Sequence, residues 1–145
     1  MRLVIACDHG GFELKRQLLS TLEDLSAIEV EDLGVHSADS VDYPDLAHAL
    51  AAEMTAGKAE RGVLICGTGL GMSIAANRHR GVRAALCTDP YMARMAREHN
   101  DANVLCLGGR VVGPGLADSI LEAFLGGEFA GDRHARRVGK LDPPS

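Results

Sequence analysis

A chain of 145 residues with 46% hydrophobic content fits one compact domain and leaves little room for a second. Its formal charge of -5 and its 3% aromatic content, with no tryptophan, lack the basic face and stacking rings that nucleic-acid binders use, so small-molecule partners are expected. No apolar run approaches the roughly 18 residues of a membrane span, and the start from Met1 to Cys7 meets Asp8 too early for a secretory h-region. No membrane partner is therefore expected, and the expected location is the cytoplasm.

Taken in chain order, the apolar runs Leu3 to Cys7, Ile28 to Glu31, Gly62 to Cys66, Arg83 to Cys87 and Val104 to Gly108 predict five strands. Helical stretches alternate with them: Gly11 to Leu25, Pro44 to Ala56, Met72 to Arg78, Pro90 to His99, and Pro114 to Leu125. In the first, Leu14, Leu18, Leu22 and Leu25 follow the helical period. Strand alternating with helix requires a parallel sheet covered on both faces by right-handed crossovers, so the class is α/β, a single Rossmann-like doubly wound domain. Residues 1–141 form this domain and residues 142–145 read as a short disordered tail. In such sheets ligands bind beyond the carboxyl ends of the strands, where strand order reverses.

The first strand ends in Cys7-Asp8-His9-Gly10-Gly11, a carboxylate and an imidazole placed ahead of a helix. Asp8 and His9 are candidate ligand contacts; the alternative is that Asp8 only caps the helix and His9 is an exposed loop residue. The third strand ends in Cys66-Gly67-Thr68-Gly69-Leu70-Gly71-Met72-Ser73. Alternating glycines bare successive backbone N–H groups at a helix start, which suits an anion, and the same field favours ionisation of a cysteine. The alternative, a buried strand cysteine, fits Cys87 and Cys106 better than Cys66.

Other glycine-loop chemistries do not fit. A dinucleotide fingerprint needs a glycine where Met72 stands, and a P-loop needs Gly-Lys-Ser/Thr, whereas Lys58 precedes Ala59 and Lys140 precedes Leu141. A cysteine phosphatase places arginine six positions after its nucleophile, where Met72 follows Cys66 and Glu13 follows Cys7. No Cys-x-x-Cys joins Cys7, Cys66, Cys87 and Cys106, and the six histidines contain no i, i+4 pair, so no metal is expected.

Two further segments are polar: Glu98-His99-Asn100-Asp101, and the tail Asp132-Arg133-His134-Ala135-Arg136-Arg137. Arg133 and Arg137 lie one helical turn apart, and paired guanidinium forks match phosphate oxygens. A solvated charged helix is the commoner fate of such a run.

With these residues in place the chain resembles the type B ribose-5-phosphate isomerases and the related galactose-6-phosphate and allose-6-phosphate isomerases. The carriers are Ala6 to Phe12, Asp42-Tyr43-Pro44, Ile65 to Asn77, Arg97 to Val104, Gly109 to Gly113, and Arg133-His134 with Arg137-Val138. The resemblance implies that Cys66 is the proton acceptor and that His99 helps open the sugar ring. It also implies that Asp8 and His9 hold substrate hydroxyls and that Gly67, Thr68, Gly69, Leu70 and Gly71 meet the developing enediolate. Tyr43 and Asn100 become substrate contacts, and Arg110, Arg133 and Arg137 form the phosphate region. Relatives that lack the cysteine use a glutamate further along the loop, where this chain has Met72-Ser73, so it looks like the cysteine branch.

Aldose–ketose exchange needs a base at C2, stabilisation of a cis-enediolate and proton return at C1, with no redox cofactor. Cyclic substrate also needs ring opening, work suited to an imidazole. Ribose 5-phosphate is the expected substrate; allose 6-phosphate, galactose 6-phosphate or a tetrose phosphate are alternatives, and a non-catalytic sugar-phosphate-binding subunit is another. The resemblance implies a homodimer or a tetramer of dimers with shared sites, the C-terminal helix reaching a partner subunit.

Overall fold

The computed structural model describes all 145 residues. Its elements are β1 (Arg2–Cys7), a single 3₁₀ turn (His9–Gly11), α1 (Phe12–Glu23), β2 (Glu29–Asp32), α2 (Tyr43–Thr55), β3 (Arg61–Cys66), α3 (Leu70–Ala76), β4 (Ala84–Leu86), α4 (Pro90–Asn100), β5 (Val104–Gly108), α5 (Pro114–Gly126) and α6 (Arg133–Val138). The strands form one all-parallel sheet in the order β2-β1-β3-β5-β4. The chain leaves β1 toward β2 on one side and returns to β3 on the other, so the reversal of strand order falls between β1 and β3. That is the crevice where doubly wound sheets take ligands, and Asp8 and Cys66 stand at its mouth.

Both faces of the sheet are buried, and the period of two divides the strand side chains between two cores. Leu3, Ile5, Val63, Ile65, Leu105 and Leu107 pack with α1, α4 and α5. Val4, Ala6, Leu64, Cys66, Val104 and Cys106 pack with α2 and α3. Each fully buried Leu or Ile contributes about 1.5–3 kcal/mol. The alternation places the Cys66 side chain on the α2/α3 face.

The element boundaries differ from the sequence reading where local geometry overrides the apolar pattern. A 3₁₀ turn takes in Gly11, the expected first helical residue, because Asp8 accepts from the Gly10 N–H at 2.9 Å and tightens the chain there. The helix then stops at Glu23, which leaves Leu25 off the apolar stripe and 40% exposed. The α3 helix starts two residues before Met72, since Gly69 turns the chain at φ 81° and Leu70 is already helical. Strand β4 is only Ala84 to Leu86, a half-buried edge strand.

The chain end is tied to the α3–β4 turn: the Gly81 N–H donates to Asp142 at 3.1 Å, and the Arg80 guanidinium donates to the Pro143 carbonyl. No helix is long and apolar enough to cross a membrane.

Candidate active site

The carboxyl ends of β1, β3 and β5 converge on one cluster. At β3, the Gly69 N–H donates to Cys66 Sγ at 3.1 Å, and Cys66 is buried. The positive φ of Gly69 turns its amide back onto the sulfur; a side chain there also meets Leu86 Cδ1 at 2.6 Å and the Leu107 carbonyl carbon at 2.9 Å. Thr68 Oγ1 accepts from the Leu70 N–H at 3.3 Å, leaving the hydroxyl proton to donate outward.

The loops after β1 and β5 close around this turn. Gly10 approaches so near that a Cβ on it lies 2.9 Å from the Gly67 nitrogen. The Gly109 N–H donates to the Cys66 carbonyl at 2.8 Å and the Arg110 N–H to the Gly67 carbonyl at 3.0 Å. These bonds bring the exposed Arg110 guanidinium against Gly67, with Nη1 3.1 Å from that residue's Cβ position. The Tyr43 ring, from the start of α2, lies over Gly71, its Cε2 and Cζ 2.5 Å from where a Cβ would stand. Close packing at Gly10 and Gly109 is a contribution the sequence reading did not assign; both glycines lie just past strand ends, the signal that could have found them.

Asp8 is buried and caps the 3₁₀ turn, while the N-cap of α1 itself is Gly11, with no side-chain cap bond. His9 is exposed and accepts from the Val41 N–H through Nδ1 at 3.3 Å, so the neutral ring carries its proton on Nε2. Asp8, His9, Tyr43, the Cys66 to Gly71 loop and Arg110 therefore share one end of the sheet.

His99, Asn100, Arg133 and Arg137 do not join them. Helix α4 runs back from the carboxyl end of β4, and its last turn precedes β5, whose first residue pairs with Gly62 at the start of β3. His99 and Asn100 thus stand at the amino end of the sheet, separated from Cys66 by the length of β5, roughly 13 Å at the usual strand rise. Helix α6 packs on α4 of the same chain. A pocket of about 220 Å³ there is lined by His99, Asn100, His134, Arg137, Val138 and Leu141. Arg133 is exposed on the first turn of α6.

The other cysteines are core residues. Burial pushes the Cys7 and Cys87 thiols up to about 11, and Cys106 is raised further by burial, with Cys66 and Cys87 as neighbours. No three His, Cys, Asp or Glu side chains are grouped to hold a metal ion.

The parallel sheet, the switch-point crevice and a cysteine at the root of a glycine loop define an α/β protein with a candidate ligand site at the carboxyl ends of its strands. Residues 3–141 match the ribose/galactose isomerase family. The ribose-5-phosphate isomerase B of Escherichia coli is 45% identical over 137 residues, covering 94% of this chain and 91% of that protein. Among solved structures, the Clostridium thermocellum ribose-5-phosphate isomerase B superposes with a TM-score of 0.95 at 54% identity, over 97% of this chain and 95% of that one. The Thermotoga maritima ribose 5-phosphate isomerase gives a TM-score of 0.95 at 52% identity, over 99% and 98%. The chain belongs to the ribose/galactose isomerase family and is an isomerase.

Proposed function

We propose that this protein interconverts ribose 5-phosphate and ribulose 5-phosphate through a cis-enediolate, with Cys66 as the base. The observation that carries the reading is the Gly69 N–H aimed at Cys66 Sγ at 3.1 Å, in a crevice rimmed by the Thr68 hydroxyl and the Arg110 guanidinium. The Cys66 thiolate removes the proton from C2 while the C1 carbonyl oxygen takes up the electron pair. Loop N–H groups and Thr68 meet the enediolate oxygens, the proton on O2 passes to O1, and the Cys66 thiol returns its proton to C1. Before that, His99 opens the ring by moving the anomeric hydroxyl proton to the ring oxygen.

Because one chain holds Cys66 and His99 at opposite ends of its sheet, a complete site takes Cys66 from one copy and His99, Asn100, Arg133 and Arg137 from another. The surface next to the Cys66 loop suits a second copy: Leu70 and Ile74, one turn apart on α3, are 54% and 59% exposed, and Tyr91 on α4 is 63% exposed. The homodimer is the smallest assembly that completes both sites.

The test is a turnover panel of pentose, hexose and tetrose phosphates without added metal, with solvent deuterium as tracer. Ribose 5-phosphate is expected to turn over with exchange at C2 and to be preferred. Binding without exchange at C2 removes the reading in favour of a non-catalytic subunit.

A further inference from the structure

Helix α6 has six residues and one buried side chain, His134. Its other side chains face outward or half outward, Arg133, Ala135, Arg136 and Arg137 being exposed. The His134 ring lies flat on the His99 ring, with centroids 4.2 Å apart and planes 9° from parallel. His9 and the His48–His79 pair are oriented by hydrogen bonds, whereas His99 is held by this stack. Both rings line the pocket that also holds Asn100 and Arg137.

We propose that His134 is a positioning residue for His99, a flat partner that fixes the imidazole plane of the ring-opening group. The inference rests on the reading of His99 as the ring-opening group, and it adds to that reading what aims it. Two stacked imidazoles tolerate one positive charge far better than two. Burial, then His99, Arg133 and Arg137, hold the His134 pKa below the usual imidazole range, and only Asp132 pulls the other way. The lowered pKa favours an uncharged His134 ring beside His99. A ring turned from its productive orientation loses rate steeply, since proton transfer depends on alignment with the acceptor atom.

The variants are His134→Ala, which removes the flat partner, and His134→Phe, which keeps a flat ring of similar size without nitrogen. With cyclic ribose 5-phosphate, His134→Ala is expected to lose about tenfold or more in kcat, and His134→Phe to recover most of it. On a tetrose phosphate, which cannot form the same stable ring phosphate, the alanine variant is expected to be close to wild type. Equal impairment by Phe and Ala, or equal loss on both substrates, overturns the proposal.

A second measurement stands apart from turnover. The His99 ring-proton resonance, displaced by the ring current of its neighbour, is expected to move in His134→Ala and to stay displaced in His134→Phe. An unmoved resonance in the alanine variant defeats the stack whatever the activity. If instead the resonance behaves as expected while wild-type protein isomerises neither substrate, the catalytic reading of His99 fails, and the positioning role for that reaction fails with it.

Discussion

Arg97 donates to Asp101 Oδ1 at 2.9 Å from one turn earlier in α4. Asp101 ends that helix in the left-handed region, φ 47°, and Arg83 holds it from the other side, Nε on its carbonyl at 2.8 Å and Nη2 on Oδ2 at 3.2 Å. Arg97 also donates to the Ala102 carbonyl at 2.6 Å. This clamp sets the helix end that carries His99 and Asn100. Only Arg97 is fully buried, and its Nε finds no partner.

Replacing Arg97 with Met keeps the volume but leaves Asp101 and the Ala102 carbonyl short of a donor. Asp101 is a third exposed and keeps Arg83, so no buried charge is stranded and the expected loss is that of charge-assisted hydrogen bonds, about 1.5–3 kcal/mol. Urea denaturation of Arg97→Met should show a lower midpoint with the slope unchanged. An unchanged midpoint removes the clamp from the account of stability.

Much of this arrangement was legible in the sequence, and the limits have physical causes. The strands and helices follow from apolar runs and their spacing, because a parallel sheet buried on both faces writes itself as short, nearly continuous hydrophobic segments. The Cys66 loop stands out because alternating glycines after a strand have few other uses. What could not be read is proximity set by crossover geometry. Nothing in the spacing of Gly10 and Gly67 says their backbones touch, and His134 reads as part of a charged run although it is the one buried side chain of α6. Asp8 illustrates the converse, since both sequence readings predict a carboxylate at the strand end and the structure shows a capping bond, to the 3₁₀ turn.

Gly69→Ala tests the turn that aims the amide at Cys66. Alanine is disfavoured at φ 81°, and its Cβ meets the Leu107 backbone, which cannot retreat without moving β5. A stability loss of roughly 1–3 kcal/mol is expected, with kcat reduced more than tenfold as the N–H leaves the sulfur. Denaturation and steady-state assays on the same preparation measure both; full activity in a destabilised variant separates the amide from the chemistry.

Alkaline stability follows from Cys7 and Cys87. Their usual pKa is 9.0 and burial raises each to about 11 in the folded chain. Between these values the unfolded chain has released protons that the folded chain still holds, so folding stability falls as pH rises from about 9 to about 11 and is untouched by these groups below that window. The double variant Cys7→Ala with Cys87→Ala starts from a lower stability but should lose less of it across the window. Equal slopes for the two proteins, read from denaturation midpoints at stepped pH, count against burial as the cause.

The assembly makes the sharpest expectation. Cys66 and the pocket of His99, Asn100 and Arg137 lie at opposite ends of one sheet, so in the proposed shared site Cys66→Ala and Arg137→Ala damage different halves. Each variant alone should be inactive, Cys66→Ala because the base is gone and Arg137→Ala because the phosphate loses a charged anchor. When equal amounts are unfolded and refolded together, random pairing makes half the dimers mixed. Every mixed dimer carries one site with both lesions and one with neither, so about a quarter of wild-type activity should return. Native mass spectrometry establishes that mixed dimers have formed. If they have and no turnover returns, the two halves do not meet across a dimer interface. Arg137 would then act within its own chain, and His99 would need another route to the substrate ring.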